Sequence, residues 1–181
     1  MRIHLGGSSR QSLVAARDAL DAAVKGASAA AASELSSHLF FAAETFASNT
    51  SLRRAFTDAS RDDSSKVALV KDLFGSKISS SASDLLAAIA SLRWSAAGDL
   101  VTVIEQLAIE AEASAANVDG ELDRLEAEFF QVSRLIADNF ELRKALVGNG
   151  SVDAKSALIA DVLAKSASAS TVKLAVALVT S

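Results

Sequence analysis

The sequence predicts an all-α protein made of two tandem, related helical bundles, the second of them incomplete. Three observations lead to this fold class. Of the 181 residues, 50% are hydrophobic but only 5% are aromatic, so helix-forming alanine and leucine supply most of the apolar character. Proline is absent, and β-branched residues form no alternating runs separated by turn dipeptides. Finally, one helical pattern occurs twice along the chain.

The duplication is clearest in the segments NTSLRRAFTD and NFELRKALVG, which begin at Asn49 and Asn139. The same offset of 90 residues aligns ELSSHLFFAAETFAS with RLEAEFFQVSRLIAD. Further along, an offset of 89 aligns SSKVALVKDLF with DAKSALIADVL, as one deleted loop residue would produce. Because this period exceeds the roughly 20 to 50 residues of common solenoid repeats, each copy is predicted to be a small bundle.

Local signals place the first helices. The amphipathic segment SLVAARDALDAAVKG predicts the first helix, with Gly26 as the residue that follows its end. A second helix is expected over residues 29–48, and a turn and a short helix over residues 49–58. Asp62 and Ser151 each precede an apolar-periodic run and are predicted to cap the helices that follow.

The serine-rich stretch KISSSAS predicts a turn, and the next helix is expected over residues 84–94. Asp99 is expected to cap the long helix DLVTVIEQLAIEAEASA, which would close the first bundle and open the second. The predicted organisation is a flexible tail at residues 1–8, a six-helix domain at residues 9–113, and a truncated second unit at residues 114–181 that shares the helix 99–113.

The sequence contains no recognisable catalytic constellation. Cysteine is absent, and the two histidines, His4 and His38, have neither HxxxH nor HExxH spacing. Glu121 and Glu128 lie three and four residues from Arg124, a spacing that favours intrahelical ion pairs on a solvated face over general acid–base work. We therefore expect no catalytic residue, no cofactor and no metal ion.

Charge and hydropathy narrow the partners. A net charge of −4 and a pI near 5.2 disfavour nucleic-acid binding. The basic pairs Arg53–Arg54 and Arg143–Lys144 could hold an anion, but their isolation in an acidic chain favours packing or protein contacts. The longest apolar stretches, such as LLAAIASL, fall short of the roughly 18 residues of a membrane span, so no crossing of a bilayer is expected.

Several motifs follow one another in a characteristic order. An alanine-rich first helix precedes N-x-x-L-R-[RK]-A-[FL], then a capped K-x-x-L-[VI]-x-D-[LV]-[FL], then a helix ending in L-R-W. This order resembles the ATP synthase delta family, the bacterial equivalents of the oligomycin-sensitivity-conferring protein. The opening GSSRQSLVAARDALDAA is similar to the start of elongated delta subunits, and the duplication fits those forms from about Ser9 to Thr180.

The resemblance implies a non-catalytic subunit of the peripheral stalk, or stator, of the rotary proton-translocating ATP synthase. Such a subunit links the N-terminal helix of an alpha subunit in the catalytic head to b-type stalk subunits, at the cytoplasmic face of the bacterial plasma membrane, so that torque drives ATP synthesis. The family's C-terminal portion, which meets the b subunits, is expected to be missing here. In the family a groove between the first and fifth helices receives the alpha helix, which implies the contact residues Leu13, Ala16, Leu20, Leu85, Ile89 and Leu92.

Two other classes of function fit the same composition. A free-standing helical adaptor or regulatory domain would be distinguished by its failure to bind an alpha-subunit N-terminal peptide. A small helical enzyme would need a cluster of acidic side chains around a metal ion, which elemental analysis of the purified protein would detect.

Overall fold

The computed structural model describes residues 4–180, and every regular element within that range is an α-helix, which confirms the predicted fold class. The helices of this range are α1 (Gly7–Val24), α2 (Ala29–Ser48), α3 (Thr50–Thr57), α4 (Asp63–Phe74), α5 (Ser80–Ala90), α6 (Ala97–Val118), α7 (Leu122–Asp138), α8 (Phe140–Val147), α9 (Val152–Leu163) and α10 (Ala169–Thr180).

The chain divides into two compact units, unit 1 (Met1–Ala111) and unit 2 (Glu112–Ser181), and the division falls within α6. The predicted tail over residues 1–8 differs from the structure at its end, because α1 begins at Gly7. Residues 1–3 of that tail lie outside the described residues. Glycine and serine occupy the first turn of α1, ahead of its apolar stripe.

An aromatic cluster occupies part of the core of unit 1. The rings of Phe46 and Phe56 meet edge to face with centroids 4.9 Å apart, and Phe74 lies 5.6 Å from Phe46. All three side chains are at most 2% exposed. Because edge-to-face contacts add to the free energy of burial, this cluster ties α2, α3 and α4 together.

The core of unit 2 is smaller and aliphatic. Its buried members are Val132, Leu142, Ile159, Leu163 and Ala175, supplied by α7 to α10. Unit 2 also leaves many large apolar side chains exposed, namely Val118, Phe130, Leu135, Phe140, Val147, Val152, Val162 and Leu178. Less apolar surface is therefore buried per residue in this unit than in unit 1.

The helix order α3–α4–α5 recurs in unit 2 as α8–α9–α10, as the duplication predicts. The caps recur as well. The Asn49 side chain accepts a hydrogen bond from the amide of Leu52 at 2.9 Å, and Asn139 accepts one from the amide of Leu142 at the same distance. Each asparagine thereby satisfies one free amide at the start of a short helix.

Three further predicted helix boundaries are confirmed. Asp62 and Ser151 cap α4 and α9 by accepting backbone amides of the first turn. Gly26 follows α1 with a φ of +74°, the left-handed conformation that favours glycine after a helix end.

The helix predicted over residues 84–94 is shifted, because α5 runs from Ser80 to Ala90. Ser79 starts the helix earlier by accepting a hydrogen bond from the amide of Ala82 at 3.4 Å, so the serine run is a helix start and not only a turn. Helix α5 ends at Ala90, four residues before the predicted end. In the segment that follows, the Arg93 carbonyl oxygen accepts a hydrogen bond from the Ser12 hydroxyl at 2.5 Å.

Asp99 was predicted to cap the long helix, and this assignment is wrong. Helix α6 begins at Ala97, which places Asp99 inside the first turn. Its carboxylate still lies near the positive end of the helix dipole, where an acidic residue is favourable. A sequence pattern predicts the presence of such a helix more reliably than it predicts the residue at which the helix begins.

Serine side chains fasten the start of α1 to the connection between α5 and α6. The Ser9 hydroxyl oxygen accepts a hydrogen bond from the amide of Ser95 at 2.8 Å, and Ser9 is fully buried. Gly6 lies so close that a Cβ atom there would stand 2.4 Å from Ser95 Cβ. Glycine at this position therefore permits the close approach of the two segments.

We expect Gly6→Ala to lower the free energy of unfolding of unit 1 by about 1 kcal/mol, because the added methyl group pushes Ser95 away from α1. Gly7→Ala is the matched control: a Cβ there meets nothing within 4 Å, and alanine favours the helix. Urea unfolding followed by circular dichroism measures both. A variant pair with equal stability would contradict the close approach.

Candidate partner-binding site

The structure places four of the six predicted alpha-contact residues in the core of unit 1. Ala16, Leu20, Leu85 and Ile89 are at most 3% exposed. Helices α1 and α5 pack directly against each other, so these side chains hold the two helices together. A partner helix could touch them only if α1 and α5 moved apart.

The other two predicted residues lie nearer the surface. Leu13 and Leu92 are partly buried and pack against the core of unit 1. Val14, the next residue along α1, is 61% exposed. Val14 lies off the apolar stripe of α1 and is not part of its buried face.

A bidentate ion pair joins α1 to α6 within unit 1. Arg17 Nη2 and Nε donate to Glu110 Oε1 at 2.5 and 2.9 Å. The hydrogen bonds to this carboxylate raise the pKa of Arg17. The pair is partly exposed, so its contribution to stability is small, but its two-point geometry orients α1.

The arginines of the two basic pairs bind backbone oxygens. Arg53 Nη1 donates to the carbonyl oxygens of Phe46 and Ala47 at the end of α2. Arg143 Nη1 donates to the two matching carbonyl oxygens at the end of α7. Both guanidinium groups bind carbonyl oxygens in the last turn of a helix, where backbone donors are scarce, and this supports the packing interpretation over anion binding.

Glu128 forms the predicted ion pairs but does not lie on a solvated face. Arg124 donates to Glu128 at 2.8 Å and to Glu121 at 3.2 Å, as the spacing predicts. However, Glu128 is only 8% exposed. Its Oε2 accepts hydrogen bonds from the amide and hydroxyl of Ser168, each at 2.7 Å, and from the Thr171 hydroxyl at 2.6 Å. The carboxylate therefore joins α7 to the start of α10.

These contacts set the protonation of Glu128. Burial raises the pKa of the carboxyl group, but the hydrogen bonds from Thr171, Ser168 and Arg124 outweigh it and lower the pKa from 4.5 to about 2. The charged form is thus the one that the folded unit 2 favours.

Unit 2 is expected to lose stability, on the order of 2 kcal/mol, as the pH falls from about 5 to the folded pKa of Glu128. Stability is lost on acidification because folding lowers the pKa of this carboxyl group. Its contribution to stability is fully present above the unfolded pKa and is lost as the pH falls to the folded pKa. Glu128→Gln should be less stable at pH 7 and should lack this share of the acid loss. Thermal unfolding at a series of pH values checks it; parallel pH profiles for the two proteins would contradict the assignment.

His38 stands in unit 1 where Glu128 stands in unit 2, at the offset of 90 residues. Its Nδ1 accepts a hydrogen bond from the amide of Ser79, the cap of α5, at 3.2 Å. His38 thus contacts the start of α5, and Glu128 contacts the start of α10. Over residues 4–180, no group of three or more histidine, aspartate or glutamate side chains is arranged to hold a metal ion.

A buried acidic group that the sequence analysis did not single out lies in unit 2. Glu112 is 1% exposed. Its carboxylate accepts hydrogen bonds from Lys173 Nζ at 2.6 Å and from the Ser170 hydroxyl at 2.7 Å. The contact fixes α10 against the end of α6, because charged hydrogen bonds away from water are strong and directional.

None of the helices that the structure describes combines the length and the hydropathy needed to cross a bilayer.

A comparison with protein-family models finds no match. Among curated proteins, the chain is 39% identical over 175 residues to a protein of Streptomyces coelicolor, an alignment that covers 96% of this chain and 64% of the relative. It is 34% identical over 177 residues to a protein of Streptomyces griseus, covering 97% of this chain and 65% of the relative. A protein of Kineococcus radiotolerans is 36% identical over 170 residues, covering 93% of this chain and 61% of the relative.

All three relatives are named ATP synthase subunit delta. The chain spans slightly less than two thirds of their length. The resemblance predicted from the sequence is thereby confirmed: over nearly its whole length, the chain is similar to ATP synthase delta subunits.

Proposed function

We propose that the protein is a non-catalytic component of the peripheral stalk of a rotary, proton-translocating ATP synthase, where it helps to hold the catalytic head against rotor torque during ATP synthesis. The observation that carries this proposal is the 34–39% identity with delta subunits over almost the entire chain. A stator component needs helix faces that hold partner helices and needs no nucleophile.

The proposed partners are the N-terminal helix of an alpha subunit and the b-type stalk subunits, at the cytoplasmic face of the bacterial plasma membrane. The b-type contact is assigned to the part of a delta subunit that lies beyond the matched region. The alpha contact is assigned to the α1–α5 face of unit 1, where an amphipathic helix would lie against apolar side chains.

The burial of side chains in unit 1 refines the proposed alpha contact. Leu13 and Leu92 form its accessible part, since both leucines are only partly buried. The buried residues between α1 and α5 would act indirectly, by fixing the distance between these helices. The serine contacts and the Arg17–Glu110 pair would keep α1 in a defined position for the partner.

We expect Leu13→Glu to weaken the binding of an alpha-subunit N-terminal peptide about tenfold, because a carboxylate would then need to lose water against the apolar face of the peptide. Val147→Glu on α8 is the matched control, since Val147 is 80% exposed and lies in unit 2. Titration calorimetry measures the affinity, and circular dichroism confirms the fold of each variant. Unchanged affinity for Leu13→Glu with a loss for Val147→Glu would place the contact in unit 2.

A further inference from the structure

The connection between α8 and α9 contains an asparagine that is followed directly by a glycine. Residues 148–150 separate the two helices, since α8 ends at Val147 and Ser151 caps α9. Asn149 and Gly150 are both exposed. Such a pair has its own covalent chemistry, because the backbone nitrogen of a glycine can attack the preceding asparagine side chain with no side chain of its own in the way.

The backbone on either side of this pair is fixed, whereas the pair itself is not. The Gly148 amide donates a hydrogen bond to the Lys144 carbonyl oxygen at 2.9 Å, and the Ser151 side chain caps α9. In the part of the chain that the structure describes, neither the Gly150 amide nor the Asn149 side chain forms a hydrogen bond. The attacking nitrogen and the attacked carbonyl carbon can therefore approach each other without breaking a contact of the fold.

Related loops lack one of these conditions. Asp119 also precedes a glycine, but the Gly120 amide donates to the Asn117 carbonyl oxygen at 3.1 Å, in a turn where the glycine φ is +73°. The connection between α3 and α4 in unit 1 contains no asparagine, and its Asp58 carboxylate accepts hydrogen bonds from the amide and hydroxyl of Ser60. The Asn–Gly dipeptide occurs once in the sequence, in the loop of unit 2.

We propose that Asn149 is a site of spontaneous deamidation, in which the backbone of Gly150 is the nucleophile. The Gly150 nitrogen forms a bond to Cγ of Asn149, and the bond from Cγ to Nδ2 breaks. The amide proton of Gly150 leaves with Nδ2 as ammonia, and a cyclic imide remains. Water from the solvent then adds to either carbonyl of the ring and opens it to aspartate or isoaspartate. The proposal is independent of the peripheral-stalk role.

The modification changes the start of α9. Both products carry a negative charge two residues before Ser151, near the positive end of the helix dipole of α9. In the isoaspartate product the main chain also runs through the former side-chain carbonyl, which adds one carbon to the backbone between α8 and α9. The loop therefore gains charge in both products and length in one of them.

The first test incubates the full chain at mildly alkaline pH and follows the modification by tryptic peptide mapping. Trypsin cuts after Lys144 and Lys155, and Asn149 is the single asparagine of the peptide between them, so its mass gain identifies the modified residue. We expect aspartate and isoaspartate together, at a rate that rises with pH because the attacking nitrogen must lose its proton. No modification, or aspartate without isoaspartate, would overturn the proposal.

A synthetic peptide of residues 145–155 tests whether the folded loop leaves the pair able to react. The rate in the folded chain should lie within about tenfold of the rate in the peptide. A folded chain that reacts more slowly than this would show that the fold protects Asn149, which would overturn the proposal. Asn117 is the internal control, because it is exposed but precedes the β-branched Val118, and it should stay unmodified.

Variants of the pair test the nucleophile. Gly150→Ala should slow the modification at least tenfold, because the added methyl group hinders the attack. A Cβ there lies 3.9 Å from the nearest atom of Lys155, an ordinary contact, so the variant should fold. Gly7→Ala adds a methyl group in unit 1 and should leave the rate unchanged.

Asn149→Gln is the second variant, and it should yield no product at this position over the same time, because its longer side chain closes a larger ring. Circular dichroism confirms the fold of each variant. An unchanged rate in folded Gly150→Ala would overturn the attack by the Gly150 nitrogen.

Discussion

Phe74→Ala is expected to destabilise unit 1 by about 3–5 kcal/mol, the range for removing a fully buried aromatic ring. Phe74 is 1% exposed and lies between the rings of Phe41 and Phe46, at 6.2 and 5.6 Å. The variant therefore loses apolar burial and two ring contacts together. Trp94, the single tryptophan of the chain, packs against the same core, so its fluorescence in a urea titration measures the unfolding of unit 1.

Leu163→Ala is the matched control for this change, because Leu163 occupies the position of unit 2 that corresponds to Phe74. Leu163 already adjoins a cavity, so its truncation should cost about 2 kcal/mol, near the lower end for buried leucine. It should leave the Trp94 transition unmoved. If Phe74→Ala shifted that transition by less than 1 kcal/mol, the aromatic cluster would not be a principal source of stability in unit 1.

Glu112→Gln is expected to lower the stability of unit 2 by about 3 kcal/mol. The buried carboxylate accepts hydrogen bonds from Lys173 Nζ and the Ser170 hydroxyl, and an amide cannot balance the ammonium charge. Lys173 is 25% exposed and can partly reach water, which keeps the expected loss near the lower end for a broken buried pair. Hydrogen exchange of the α10 amides is the direct measurement.

The exposed residue Glu126 on α7 provides the control, since Glu126→Gln should change the stability of unit 2 by less than 0.5 kcal/mol. A combined Glu112→Met and Lys173→Met variant removes both charges and should recover much of the loss. If the effects of the two methionine substitutions simply added, the two groups would not act as a pair.

The features that sequence analysis predicted correctly depend on residues close together in the chain. Asp62 and Ser151 bond to amides three residues away, and Gly26 adopts its conformation within one turn of α1. The start of α5 was misplaced because serine is common both in turns and at helix caps. Only a contact between distant segments, such as that of Ser79 with His38, shows which of these applies.

The environment of Glu128 could not be predicted from its neighbours. Arg124 lies four residues away and was identified, but Ser168 and Thr171 are 40 and 43 residues distant.

The proposed alpha contact is difficult to predict for a related reason. An apolar stripe such as that of Leu13, Ala16 and Leu20 has the same period whether it faces its own bundle or a partner, so the sequence alone cannot separate the two.

The arginine contacts at the ends of α2 and α7 bear on how the two copies diverged. Arg53 and Arg143 both bond to the preceding helix. The residue three positions before each arginine differs between the copies: Thr50 accepts a hydrogen bond from Arg53, whereas the ring of Phe140 lies beneath Arg143. Such a contact needs one side chain and backbone atoms, so single substitutions around it are tolerated. The aromatic cluster instead needs several matched side chains, so the effect of a substitution at one ring depends on which residues occupy the other positions. After a duplication, a contact between one arginine and backbone carbonyls is retained easily. The packing of several aromatic rings is retained or lost as a whole.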